Sequence, residues 1–293
     1  MRAVVRFVLL GFLLGGSVIS SVSAAELKLG VLAPRGGVKA KARWTALATY
    51  LSNRLGQPVT LIPVRPPNVV PMAKAGQLDL VLSHAAHTVY LNERLDATPL
   101  ATLNGKSGPQ FAGVILAKKG HGIRRVEDLK GKRGMSLKFK TAAGAYIFQT
   151  YHLHQKGMNP HTDFASLKQG KKQDDLVLAV QADLIDVAFV RSGLLEAMER
   201  EGKIKMSDFE IIDARTDDGL SFVHSTDLYP EWYLTAMPQI SDAVKATLKT
   251  ALTEITPTMP VARAARVQGF VAPLPLDGMK KALQALKIPP YDA

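Results

Sequence analysis

QADLIDVAFVRS, residues 181–192, sets an acidic residue, Asp186, in front of the apolar run Val187 to Val190 and closes on Arg191 and Ser192. About one hundred residues earlier AGQLDLVLSH, residues 75–84, has the same layout: a helix end, a turn, Asp79, the apolar Leu80 to Leu82, then Ser83 and His84. Each apolar run is the length of a buried strand. Two copies of the layout predict two similar lobes. In a doubly wound sheet the residues just past the carboxyl ends of the strands line the ligand crevice, so Ser83, His84, Arg191 and Ser192 are expected to face a common cleft.

The flanking sequence supports an α/β chain. ELKLGVL, residues 26–32, alternates as a first strand. Trp44, Leu47, Ala48, Leu51 and Leu55 then recur at helical spacing over residues 41–55, with Gly56 placed to end the helix. A strand over 59–64, a turn at Pro66-Pro67 and a short helix over 69–75 continue the alternation, which predicts a parallel or mixed sheet with helices on its faces. Further on, the pattern gives strands over 111–117 and 209–213, and helices over 143–156, 174–182, 194–201, 241–254 and 276–286. Tyr229-Pro230-Glu231-Trp232-Tyr233 reads as a loop. Residues 26–105 with 217–293 are expected in one lobe and 106–216 in a second, inserted lobe. The two crossings form a hinge near Asn104 and Gly105.

GMSLKFKTAAGAY, residues 134–146, is a strand that stops, turns and enters a helix through small residues. A helix start exposes free N–H groups and the positive end of the dipole, both of which favour an anion. Lys138 and Lys140 stand just before it, Thr141 adds a hydroxyl, and Ala142 leaves the backbone accessible. The alternative is an ordinary turn with solvated lysines. Arg191 is the strongest single candidate, because a guanidinium holds an oxyanion through two N–H groups at once. His84 and His87 are further donors, Arg35 in its Gly-flanked loop caps the cleft, and Phe111 walls it. Asp79 and Asp186 resemble paired catalytic acids, but turn formation in matching positions accounts for both. The sequence carries no GxSxG, HExxH, Walker loop or cysteine, so no catalytic residue, metal or cofactor is expected. A hydrolase would have to rest on His84 or His87 with Asp79.

The first residues, MRAVVRFVLLGFLLGGSVISSVSAAE, combine Arg2 and Arg6 with an apolar run and small residues at Val22-Ser23-Ala24. They read as a signal peptide over residues 1–24, cleaved after Ala24 or Ala25, and the expected address is the periplasm. With no cysteine the chain has neither a disulfide framework nor a lipid-attachment site. Its formal charge of +12 is spread in singles and pairs such as Lys118-Lys119 and Lys171-Lys172. Such a field attracts small anions; without interleaved aromatics it does not indicate nucleic acid.

The pieces LKLGVL, AGQLDLVLS, GIRRVEDLKGKRGMSL followed by TAAG, HQKGMNP and DLVLAVQADLIDVAFVRSG resemble, in order, the phosphate, phosphite and phosphonate-binding periplasmic proteins of ABC transporters. Arg191-Ser192-Gly193-Leu194-Leu195-Glu196, the run Ser225 to Trp232, and Pro290-Tyr291-Asp292 are similar to the sensory ectodomains of tetrathionate-sensor histidine kinases. The resemblance implies a type II periplasmic binding fold: two lobes with a hinge, closing on a small oxyanion. It also implies delivery to an ABC permease, or presentation of the bound anion to a sensor histidine kinase. The chain is expected to act as a monomer. Two departures stand out. Ser83-His84-Ala85-Ala86-His87-Thr88 replaces the usual phosphonate-contacting turn, and Lys140-Thr141-Ala142-Ala143-Gly144 replaces a serine-rich helix start. Fewer hydroxyls point away from phosphonate itself, towards a larger oxyanion that demands fewer hydrogen bonds, such as one containing sulfur.

Overall fold

The computed structural model describes residues 26–292, and the leader expected over residues 1–24 lies outside them. The chain begins with strand β1 (Leu27–Leu32) and helix α1 (Gly37–Leu55), then β2 (Val59–Val64), α2 (Val69–Lys74), β3 (Leu80–Ser83), α3 (Ala85–Leu95) and β4 (Thr98–Asn104). The buried face of α1 is the stripe of Ala40, Trp44, Leu47, Ala48 and Leu51, and Gly56 ends it in the left-handed conformation at φ 65°. A short β5 (Gln110–Phe111) leads into β6 (Gly113–Lys118), β7 (Arg133–Ser136), α4 (Ile147–Gln155), β8 (Ser166–Gln169), α5 (Gln173–Gln181), β9 (Val187–Arg191), α6 (Leu194–Arg200) and β10 (Phe209–Ile211). The chain returns through β11 (Tyr229–Pro230) and β12 (Tyr233–Ala236), then α7 (Asp242–Thr253), α8 (Pro260–Ala265), β13 (Gly269–Val271) and α9 (Asp277–Ala285).

Eleven of these strands form two sheets on one plan, and β5 and β11 pair as a separate two-stranded ribbon. The first runs β2-β1-β3-β12-β4-β13 and the second β8-β7-β9-β6-β10. In the first, β1 is parallel to β2 and β3, while β12 is antiparallel to β3. In the second, β7 is parallel to β8 and β9, while β6 is antiparallel to β9. Asp79 and Asp186 hold equivalent places in this plan. The Asp79 carboxylate accepts the Lys28 N–H at 2.8 Å and its own N–H donates to the Lys28 carbonyl at 2.9 Å. Asp186 does the same with Arg133, again at 2.8 and 2.9 Å. Each aspartate ties the start of one strand to its neighbour, which is why the layout occurs twice.

Each sheet is covered on both faces, so its inner strands are apolar throughout rather than alternating. Leu80 and Leu82 of β3 pack with α1, α7 and α8, whereas Val81 packs with Val69, Ala73 and Leu91 on the other side. In β9, Ala188 and Val190 face Leu176, Val177 and Leu195, and Val187 and Phe189 face Leu153 and Phe164. A further apolar cluster lies between the two sheets and takes in Tyr233 of β12. It joins Ala85 and Val89 of α3, Phe111, Ile147 and Phe148 of the inserted region, and Met279, Ala282 and Leu283 of α9.

The structure departs from the sequence expectations in several places. The expected loop at 229–233 is β11, which pairs antiparallel with β5, followed by β12, a central strand of the first sheet. Ser225 and Thr226, past residue 217, accept the Ile115 and Gly113 N–H groups of β6 at 2.9 Å each. The helix expected from Ala143 starts only at Ile147, after a 3-10 turn over Ala143–Ala145.

Candidate functional site

Ser83 and His84 stand at the carboxyl end of β3, and Arg191 and Ser192 at that of β9; of these four, His84 lines the cavity described below. Ser83, at the end of β3, is fully buried, and its hydroxyl has no hydrogen-bond partner among the described residues. His84 follows as the N-cap of α3: its Nδ1 accepts the His87 N–H at 3.5 Å. The two imidazoles stack, centroids 4.0 Å apart and 21° from parallel. Both are buried, and His87 Nδ1 is a second polar atom with no partner among the described residues.

Burial holds these histidines neutral. It pushes the His84 imidazole down to about 4 against weaker opposing help from its own backbone and that of Thr141. His87 is driven well below its ordinary value, by burial first and by the charge of His84 second. A neutral His84 is also what the cap requires, since a protonated Nδ1 cannot accept the His87 N–H.

A cavity of about 360 Å³ opens against this pair. It is lined by Pro66, Pro67, Val70, His84, Ala86, His87, Tyr90, Lys140, Thr141, Ile288, Pro289 and Asp292. The first seven lie in the α2–α3 part of the chain, Lys140 and Thr141 follow β7, and the last three follow α9. Proline, valine and isoleucine make an apolar wall, two imidazoles and the hydroxyls of Thr141 and Tyr90 offer neutral hydrogen bonds, and one lysine and one aspartate bring charge. Its size is within the range of small-ligand pockets.

Of the residues singled out from sequence, His84, His87 and Thr141 line this cavity, and Lys140 lines it in place of Lys138. The anion cradle expected in residues 134–146 is not an open α-helix start. The Thr141 and Ala142 N–H groups both fold back onto the Lys138 carbonyl, at 3.4 and 3.1 Å, and Lys140 sits in the left-handed region at φ 61°. A non-glycine residue there costs on the order of 1 kcal/mol or more, a strain that recurs at functional sites. Lys138 is exposed.

Arg191 is already engaged. Its Nη2 donates to Glu231 Oε1 at 2.9 Å and its guanidinium stacks 4.7 Å from the Phe111 ring centroid. Phe111 is therefore a buried floor for an arginine, in the ribbon that joins the lobes. The Ser192 hydroxyl accepts the Ala112 N–H at 3.0 Å. Arg35 is 71 % exposed, with Asp174 at 3.7 Å as its acidic neighbour.

Sequence reasoning missed three residues that shape this region. Glu231 lay in a stretch read as a loop. Gln149, fully buried, donates through Nε2 to the carbonyls of Val190 at 2.8 Å, Gly144 at 3.0 Å and Val114 at 3.3 Å, and so fixes the 3-10 turn to the second sheet. Gly144 is obligatory for space: a Cβ there would stand 2.6 Å from Phe111 Cε2 and 3.3 Å from Arg191 Cβ. Among the described residues no helix is long and apolar enough to cross a membrane, and no group of three or more metal-ligating side chains forms.

Comparison with known proteins gives the family. Residues 29–284 match the family described as ABC transporter, phosphonate, periplasmic substrate-binding protein. The chain belongs to that family. This periplasmic binding protein is 32% identical over 237 residues to the tetrathionate sensor histidine kinase TtrS of Salmonella typhimurium. The match covers 78% of its own length and 39% of that protein's, so the chain spans about two fifths of the curated relative. Among solved structures it is similar to PhnD1 from Prochlorococcus marinus in complex with methylphosphonate, with TM-score 0.69, 16% identity, and coverage of 89% of this chain and 98% of that one. It is also similar to a Xanthomonas citri protein bound to ATP, with TM-score 0.73, 17% identity, and coverage of 91% and 100%. These likenesses show the type II, two-lobed fold of the binding protein. Its family is one of solute-binding proteins rather than enzymes, and its family places it in the periplasm.

Proposed function

We propose that this binding protein receives a small oxyanion between its lobes, with His84, His87, Thr141 and Lys140 as the ligand-facing group, and delivers it to an ABC permease. The observation that carries this reading is His87 Nδ1, a buried polar atom without a partner among the described residues, on a side chain that lines a cavity holding a single lysine. Buried polar groups are nearly always hydrogen-bonded, so atoms left over next to a cavity mark where a ligand's polar atoms are received. The lining favours a weakly hydrated anion over inorganic phosphate. Neutral imidazoles, the Thr141 and Tyr90 hydroxyls and one lysine provide few donors, and apart from Asp292 the rest of the wall is apolar, which suits a larger oxyanion such as one containing sulfur.

Calorimetric titration against phosphate, phosphite, methylphosphonate, thiosulfate, tetrathionate and an alkylsulfonate tests this. Binding to at least one is expected, with a sulfur oxyanion ahead of phosphate, and Lys140→Ala should weaken it by about tenfold, or ~1.4 kcal/mol. No heat with any of the six rules the reading out.

A second reading has the same pocket present its anion to a two-component histidine kinase. It is favoured by the identity to TtrS. Co-purification of the liganded protein with a permease supports delivery; co-purification with a kinase supports sensing.

A further inference from the structure

Five side chains gather around the hinge. Arg43 of α1 lies over the Trp44 ring at 4.7 Å, Trp44 stacks on Trp232 with centroids 6.2 Å apart, Glu231 precedes Trp232, and Arg191 at the end of β9 bonds Glu231 at 2.9 Å. Arg43 belongs to the first lobe, Arg191 to the second, and Glu231 to the return crossing between them. The Glu231 side chain is only 12% exposed, whereas that of Arg191 is 40% exposed. Arg43 is itself fixed by its Nε donating to the Ala265 carbonyl at 2.8 Å. Its guanidinium is affected most by burial, then by the opposing pull of the Glu231 carboxylate and the repulsion of Arg191. One acid thus sits between two bases, within electrostatic reach of both.

We propose that Glu231 is a built-in counter-anion that keeps the guanidinium of Arg191 from acting as an anion receptor and so sets the charge the cleft accepts. The reasoning is electrostatic. A guanidinium with one Nη already bonded to a carboxylate and a phenyl ring on its face has lost part of its hydrogen-bonding edge and much of its field. An incoming dianion would also meet the Glu231 charge at short range, where partial burial makes repulsion stronger than in bulk water. Without that carboxylate, the Nη groups of the 40% exposed Arg191 side chain are open to an anion, with Nε still on the Ser192 carbonyl at 3.4 Å, and Arg43 adds a second positive charge behind it. Both would draw a doubly charged tetrahedral anion. The proposal rests on the reading that this cleft takes an anion, and it names the residue that selects among anions by charge.

The test is calorimetric titration with inorganic sulfate of the wild type, Glu231→Gln, and the double variant Glu231→Gln with Arg191→Gln. Glutamine keeps the shape of the side chain and removes its charge. Glu231→Gln is expected to bind sulfate at least tenfold more tightly than the wild type, and the double variant is expected to lose that gain. A folded Glu231→Gln with no gain, or a gain that survives the loss of Arg191, overturns the proposal and leaves Glu231 as a hinge strut. Should Glu231→Gln fail to fold, Glu231→Asp replaces it, since the shorter side chain draws the carboxylate back from Arg191. A smaller, Arg191-dependent gain is then expected, and its absence is equally fatal. A wild type silent to the six-anion panel beside a Glu231→Gln that gains sulfate would sink the proposed function and leave this inference standing. A wild type that binds a panel anion beside an unresponsive Glu231→Gln would do the reverse.

Discussion

His84 and His87 show how residue identity acts here through burial. The folded chain holds both imidazoles neutral, while the unfolded chain protonates them at about their ordinary value of 6.5. Unfolding therefore takes up protons, and stability rises with pH. Their contribution is complete above 6.5 and is lost as pH falls towards the folded value of about 4 for His84, where it amounts to roughly 3 kcal/mol. Thermal melts from pH 7 to 4 should show a progressive fall in Tm, and His84→Asn, which retains a capping side chain without titrating, should flatten it. An unchanged slope would place the effect on other groups. At Gly144 the constraint is steric: Gly144→Ala drives a methyl into Phe111 and is expected to cost about 1–3 kcal/mol in urea unfolding, with the Arg191–Phe111 stack disturbed. Neither residue declares its role in sequence. The histidines were visible as candidates because they follow a strand end, but their stacking and neutrality depend on what covers them.

Elements divide into those that periodicity reveals and those it does not. α1, β2, α2, α5, α6, α7 and α9 are legible within a residue or a few, because each buries a regular stripe or alternation and ends at a turn residue. β11 and β12 were hidden. Tyr229-Pro230-Glu231-Trp232-Tyr233 mixes proline, charge and aromatics, and only pairing with Phe111 on one side and with Ser83 and Thr102 on the other makes strands of it. The start of α4 was misjudged for a related reason. Small residues over 141–145 permit a helix start, but the Gln149 amide gathers the Gly144, Val190 and Val114 carbonyls and holds the segment in a 3-10 turn. Gln149→Leu should cost about 1–3 kcal/mol by leaving those carbonyls without their donor, and amide exchange over residues 143–147 should accelerate. Stability and exchange both unchanged would mean the turn is held by its own backbone.

At the scale of the whole molecule the lobes share a core. The cluster of α3, α9, Phe111, Ile147 and Phe148 includes residues packed with each sheet. The two lobes are accordingly expected to unfold together. Both tryptophans, Trp44 and Trp232, border the core of the first sheet, so their fluorescence reports that lobe while far-ultraviolet circular dichroism reports the whole. Coincident urea transitions are the expected outcome, and two separated transitions would show independent lobes. The sequence by itself determined the strand-and-helix plan and its duplication, because strand burial, helix stripes and the Asp79 and Asp186 clamps are written in short local patterns. Tertiary structure alone decided which polar groups meet. Glu231 reaches Arg191 across 40 positions of chain, and Thr141 comes to the side of His84 from the other lobe. Such pairings follow from where the hinge brings two sheets together, and no local periodicity encodes that distance.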